Sequence, residues 1–174
     1  VNLNNMNTME NLQQDLLRKY NVSCPRYTSY PTVPYWDKEG VSTEKYLNLL
    51  SDSFNQSNST EGISLYIHLP FCESLCTYCG CNTRITVNHA VEEAYIQTVL
   101  KEWKMYCSIL PTVPNIREIH LGGGTPTFFS SQNLRKLIEG IVKNSSLAEG
   151  YEFSFEAHPH HTSHEQLKEL FDLG

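Results

Sequence analysis

From Ile63 onward the sequence repeats one pattern three times: a short β-rich run, then a longer amphipathic one. "ISLYIHL" stops at Pro70, and Val91 to Leu110 then sets Tyr95, Val99, Trp103, Cys107 and Leu110 on one helical face. "REIHL" breaks at Gly122, Gly123 and Gly124, and "SQNLRKLIEGIVKN" carries Leu134, Leu137, Ile138, Ile141 and Val142 as one stripe. "YEFSFEA" alternates as a third strand; "TSHEQLKELFDLG" opens on Thr162 and Glu165 as a capping box and closes on Gly174 as a C′ residue. Strands joined by helical crossovers run parallel, and those crossovers are right-handed. The expected fold is therefore α/β, a parallel sheet of repeated strand–helix units. Ligands of such sheets sit beyond the carboxyl ends of the strands. The cysteine loop after Pro70, the glycine loop and "EAHP" all fall there. Three strands leave an unpaired edge, and the last helix is followed by no closing element, so the chain reads as the first part of a larger barrel.

Ahead of this region, "MENLQQDLLRKY" reads as a short helix and "PRYTSYPTVPYW" as an extended arm, because its prolines and aromatics follow neither period. "STEKYLNLLSDSF" is a capped helix and "NQSNSTEG" a polar loop. The expected division is residues 1–60, an N-terminal helical arm, and residues 61–174, the strand–helix units. A chain of 174 residues supports one sizeable core. Its net charge of −6 and the absence of a Lys/Arg-rich run argue against a nucleic-acid partner. No apolar stretch reaches the ~20 residues of a membrane helix. The polar, acidic start lacks the pattern of a signal peptide, so a cytoplasmic location is expected. In that reducing setting six cysteines read as ligands or catalytic groups rather than disulfides.

Within "FCESLCTYCGCN", Cys72, Cys76, Cys79 and Cys81 occupy ten positions as C-x3-C-x2-C-x-C. Four-thiolate zinc sites come as two separated C-x2-C pairs, and no second pair exists here. Structural iron–sulfur sites use four cysteines, usually drawn from more than one segment. Three thiolates on one loop suit a [4Fe-4S] cluster whose fourth iron stays open. Unrelated buried or redox cysteines are the other reading of the spacing.

With Tyr78 just before the third cysteine, C-x3-C-x2-C resembles the radical S-adenosylmethionine (SAM) enzymes. "PRYTSYPT", "LYIHLPFC", "CGCN", "HLGGGTPT" and "FEAHP" stand in the order seen in the oxygen-independent coproporphyrinogen III oxidases, and the resemblance runs from about Lys19 to the end. It implies the first half of a partial (β/α)6 TIM-like barrel. It also implies cluster ligation by Cys72, Cys76 and Cys79, with SAM chelated by the fourth iron and cleaved to a 5′-deoxyadenosyl radical. Cys81 belongs to the signature without being a ligand. By the same resemblance Tyr66, Gly123 and Glu156 contact the first SAM, while Tyr78, Gly124 and Thr125 face a second. The reaction implied is oxidative decarboxylation of two propionates of coproporphyrinogen III, giving protoporphyrinogen IX, with electrons from a reducing donor.

The glycine loop alone could be a tight strand-to-helix turn, and it lacks the G-x-G-x-x-G and G-K-[ST] patterns. Beside a cluster it makes sense as bare backbone that lets SAM's amino acid end approach. "EAHP" departs from the family's usual acid at His158. We read His158, His160, His161 and His164 as solvent-facing rather than as a metal site. Arg26, in the arm, is the candidate fork for a substrate bearing four carboxylates. Rival readings are a related heme chaperone or heme-degrading enzyme and, from another class, a non-catalytic zinc or redox module. The chain alone is expected to be inactive, because it supplies only part of the barrel that would enclose the radical.

Overall fold

The computed structural model describes residues 14–21, 35–36 and 40–174. Arg26 and nearly all of the predicted arm lie outside these described residues. The chain divides into two compact units, Val1–Val41 and Ser42–Gly174. In the first, helix α1 spans residues 14–20 and ends with the Asn21 N–H donating to the Leu17 carbonyl at 2.8 Å.

The second unit begins with α2 (Thr43–Ser57), capped by the Ser42 hydroxyl, which accepts from the Lys45 N–H at 3.2 Å. The helix runs on through Asn55–Ser57, residues whose polarity reads as loop; Asn58 at its end turns inward and bonds the Val113 carbonyl and the Asn115 N–H. Strands β1 (Ile63–Leu69), β4 (Asn115–Gly123) and β5 (Ser146–Phe155) form one parallel sheet in the order β1-β4-β5. The expected fold class is present. Helices α3 (Val91–Ile109) and α4 (Ser131–Val142) are the crossovers between these strands, and α5 (His164–Asp172) follows β5.

Strand alternation sorts the sheet into two faces. Ile67, Leu69, Ile119 and Leu121 point into the core, where they meet Ile96, Trp103, Leu134, Leu137, Ile138 and Ile141 from α3 and α4. The Trp103 indole donates to the Ile141 carbonyl at 3.1 Å, and Cys107 packs half-buried against this core. The expected stripe of α4 is present; in α3 the fully buried Ile96 and the buried Glu92 sit outside the expected face. The other face of the sheet is polar, with Tyr66 beside His120 beside Ser154 in register.

Three local details differ from expectation. β4 does not break at the glycines but continues through Gly122 and Gly123, since both still pair with β1. β5 is longer than "YEFSFEA" and carries Gly150 at φ +69°, within a stretch where the register against β4 shifts. The capping box of α5 is Ser163 with Gln166, one residue later than predicted. Thr162 is instead bonded to the His158 carbonyl at 2.8 Å, and Glu165 accepts from Ser131. Gln166 does three jobs at once: its oxygen takes the Ser163 N–H and its nitrogen donates to the carbonyls of Thr127 and Phe129 at 2.7 Å each.

Candidate active site

The cysteine loop is anchored at both ends by a short parallel ladder, β2 (Phe71–Cys72) with β3 (Arg84–Ile85), in a segment that reads as loop from sequence. Phe71 seats the entry in an aromatic knot, edge-on to Tyr95 at 5.3 Å and 5.6 Å from Phe128. The loop is sewn to the end of β4 as well. Gly124 N–H donates to the Leu69 carbonyl at 2.8 Å and Thr125 N–H to the Phe71 carbonyl at 3.0 Å. This approach requires a glycine: a Cβ at position 124 would stand 2.6 Å from the Pro70 carbonyl oxygen. At Gly123 the backbone has φ +119°, and the His68 ring fills the space a side chain would take.

Several sequence-predicted residues therefore meet on one edge. The Cys72 thiol lies 3.3 Å from the Thr125 hydroxyl. The Gly123 N–H donates to Glu156 Oε2 at 3.2 Å, and the Glu156 N–H extends the ladder to the Leu121 carbonyl. Tyr66 stacks on His120 with ring centres 5.7 Å apart, and its hydroxyl is 3.2 Å from His68 Nδ1. Burial first, then the negative charge of Glu156, pushes the Tyr66 phenol up. Cys76 and Cys79 are half-buried and joined by a turn, with the Cys79 N–H on the Cys76 carbonyl at 3.1 Å. Tyr78 is 84% exposed.

The described thiols are all free, and that of Cys81 is pushed up, first by the charge of its neighbour Cys79 and then by desolvation. Among the described residues no three His, Cys, Asp or Glu side chains converge as a metal ion would require. The donor chemistry nevertheless fits an iron–sulfur cluster: free thiols on one loop, next to bare glycine backbone and a carboxylate.

Sequence reasoning missed His120, Ser154 and His68. His120 is held by the Ser154 hydroxyl at 2.8 Å with its other nitrogen 3.9 Å from Glu156, and His68 is tied to the Asn82 carbonyl at 2.8 Å. The signal was present: alternation in "REIHL" sets His120 opposite Ile119 and Leu121.

No family model matches the chain. It is 34% identical over 146 residues to the oxygen-independent coproporphyrinogen III oxidase of Mannheimia haemolytica, covering 83% of this chain and 94% of that relative. The chain belongs to the oxygen-independent coproporphyrinogen III oxidase family. A second family member, from Pseudomonas aeruginosa, is 33% identical over 162 residues, which is 92% of this chain but 34% of that protein. The solved coproporphyrinogen III oxidase from Escherichia coli, described as a radical SAM enzyme, superposes with a TM-score of 0.73 at 27% identity. It matches over 91% of this chain and 34% of its own. The chain thus spans about a third of the length of most relatives it matches. Among the described residues no helix is long and apolar enough to cross a membrane.

Proposed function

We propose that this chain provides the cluster- and SAM-binding part of a cytoplasmic coproporphyrinogen III oxidase that forms protoporphyrinogen IX. The observation that carries the reading is the shared edge on which Cys72, Thr125, Gly123 and Glu156 meet. Cys72, Cys76 and Cys79 would hold the [4Fe-4S] cluster. When bound, the reduced cluster supplies the electron that splits SAM, and with it the radical that abstracts a propionate hydrogen. The chain's own residues orient and shield. Gly123, assigned to the first SAM, and Gly124 have no side chains, which lets the His68 ring and the Pro70 carbonyl close in and brings the cysteine loop against the end of β4. Glu156 offers a carboxylate to an ammonium, a charge-assisted hydrogen bond. Tyr66, buttressed by His120, walls the first SAM; Gly124, Thr125 and Tyr78 are assigned to a second. Arg26 is assigned to a substrate carboxylate, and electrons would come from a separate reducing partner.

Anaerobic reconstitution with iron and sulfide tests the reading. Incorporation of both, with a broad absorption in the visible blue and an electron paramagnetic resonance spectrum of the reduced form that changes on adding SAM, is the expected result. One tightly bound zinc and no sulfide would overturn it in favour of a zinc or redox module.

A further inference from the structure

Glu92 is 3% exposed, yet it is a carboxylate. It is fully engaged. Oε2 accepts from the Ser130 N–H and the Asn133 amide, both at 2.8 Å, and Oε1 lies 2.7 Å from His89 Nδ1. His89 is fixed a second time by stacking on Phe128, ring centres 4.3 Å apart and planes within 12°. Its remaining nitrogen, Nε2, points outward to Glu73 Oε1 at 3.4 Å. The other oxygen of Glu73 is 3.2 Å from His161 Nδ1, on the connection between β5 and α5. A line of polar contacts thus runs from the interior of the α3–α4 packing to the residue that follows Cys72. It also accounts for one histidine of the "HPHHTSH" run, which the sequence reading left facing solvent.

We propose that Glu73 is a positioning residue for the cysteine loop: held between His89 and His161, it fixes the Cys72 end of the loop, with buried Glu92 as the foundation. Cys72 is then the pre-placed thiol, gripped by Thr125 on one side and by its neighbour's tether on the other. Cys76 and Cys79, further along the loop, have no comparable side-chain anchor among the described hydrogen bonds and ion pairs. The role as a cluster-loop positioner rests on the proposed function; the tether itself does not.

The test uses the whole chain, reduced and cluster-free. Alkylation by iodoacetamide at Cys72, Cys76 and Cys107 is followed by peptide mass spectrometry. Glu73→Gln is expected to speed alkylation of Cys72 about threefold, the size that a partly exposed ion pair supports, and to leave Cys107 unchanged. Cys107 sits against the core and reports global opening. His89→Phe keeps a ring over Phe128 while removing both nitrogens. It should shift Cys72 in the same direction but by less, because Glu73 keeps His161, and the double variant should match Glu73→Gln alone, because His89 reaches the loop through Glu73. After reconstitution, both variants should lose iron to a chelator faster, Glu73→Gln by the larger factor. Wild-type rates at Cys72 in both variants, or effects that multiply in the double variant, would overturn the tether. A wild-type chain that assembles no cluster but shows this alkylation pattern would remove the proposed function and leave the tether standing.

Discussion

At the scale of single residues, the three loop cysteines and the two buried or edge carboxylates carry separable expectations. Alanine at Cys72, Cys76 or Cys79 should abolish four-iron assembly, measured as iron and sulfide per chain, because each iron needs its thiolate. Alanine at Cys107, which packs on the core, should leave assembly intact. Glu156→Ala should spare the cluster and weaken SAM binding about ten- to hundredfold by equilibrium titration, the worth of a charge-assisted hydrogen bond. Glu92 gives a pH-dependent case. Burial pushes its carboxyl up, but hydrogen bonds from Asn133, the Ser130 backbone and His89 outweigh this and hold it below the ordinary range. A depressed carboxylate adds stability above its unfolded pKa of about 4.3, and that share is lost as pH falls through the folded value. Glu92→Gln should therefore lower the unfolding free energy by about 2 kcal/mol near neutrality. The difference should narrow below about pH 4, as urea titrations at the two pH values would reveal. Cysteine spacing is a local signal and could be read from sequence. Glu92 could not: its three partners lie on α4 and on the loop before α3, and nothing in the α3 pattern marks an acid as buried.

At the scale of elements, the end of β4 is the most demanding segment. A methyl at Gly124 would meet main chain, the Pro70 carbonyl at 2.6 Å and that of Phe71 at 2.8 Å, and neither can rotate away. At Gly122 the nearest atoms are the Tyr66 ring edge at 2.8 Å and the Tyr66 hydroxyl at 3.0 Å, ends of a side chain that can swing. Gly124→Ala should cost about 2 kcal/mol of stability, within the range for overpacking, and Gly122→Ala clearly less. Denaturant midpoints of the two variants check the order. The elements themselves were largely legible, since apolar period and caps are written locally, as in "ISLYIHL" and α4. What was not legible came from pairing at a distance. β4 continues through its glycines because β1 pairs with them, and the β2–β3 ladder exists because Arg84 and Ile85 return beside Phe71 and Cys72. The cap of α5 moved by one residue because Gln166, not Glu165, can reach the carbonyls of Thr127 and Phe129.

At the scale of the whole molecule, the described residues leave two hollows against the three-stranded sheet. A groove of about 590 Å³ runs along β1 between α2 and α3, and a hollow of about 310 Å³ lies beside β5 under α5. Phe171, on the rim of that hollow, is 83% exposed. The 174 residues alone, about a third of the length of most relatives, are expected not to turn over coproporphyrinogen III even when loaded with cluster and SAM, since a radical that is not enclosed would be quenched. They should also self-associate in size-exclusion chromatography. Multiple turnover by a monomer, assayed anaerobically for protoporphyrinogen IX, would contradict this. The strand order has a consequence in time. β1 has β4 as its sheet partner, and the whole cysteine loop and α3 are made between them. As the chain leaves the ribosome, its thiols emerge before the edge they are to occupy exists, and they stay on a loose segment until Gly123 and Gly124 have followed. Under the proposed function, iron that arrived early would meet a floppy thiol chain, and iron that arrived after β4 docks would meet a seat.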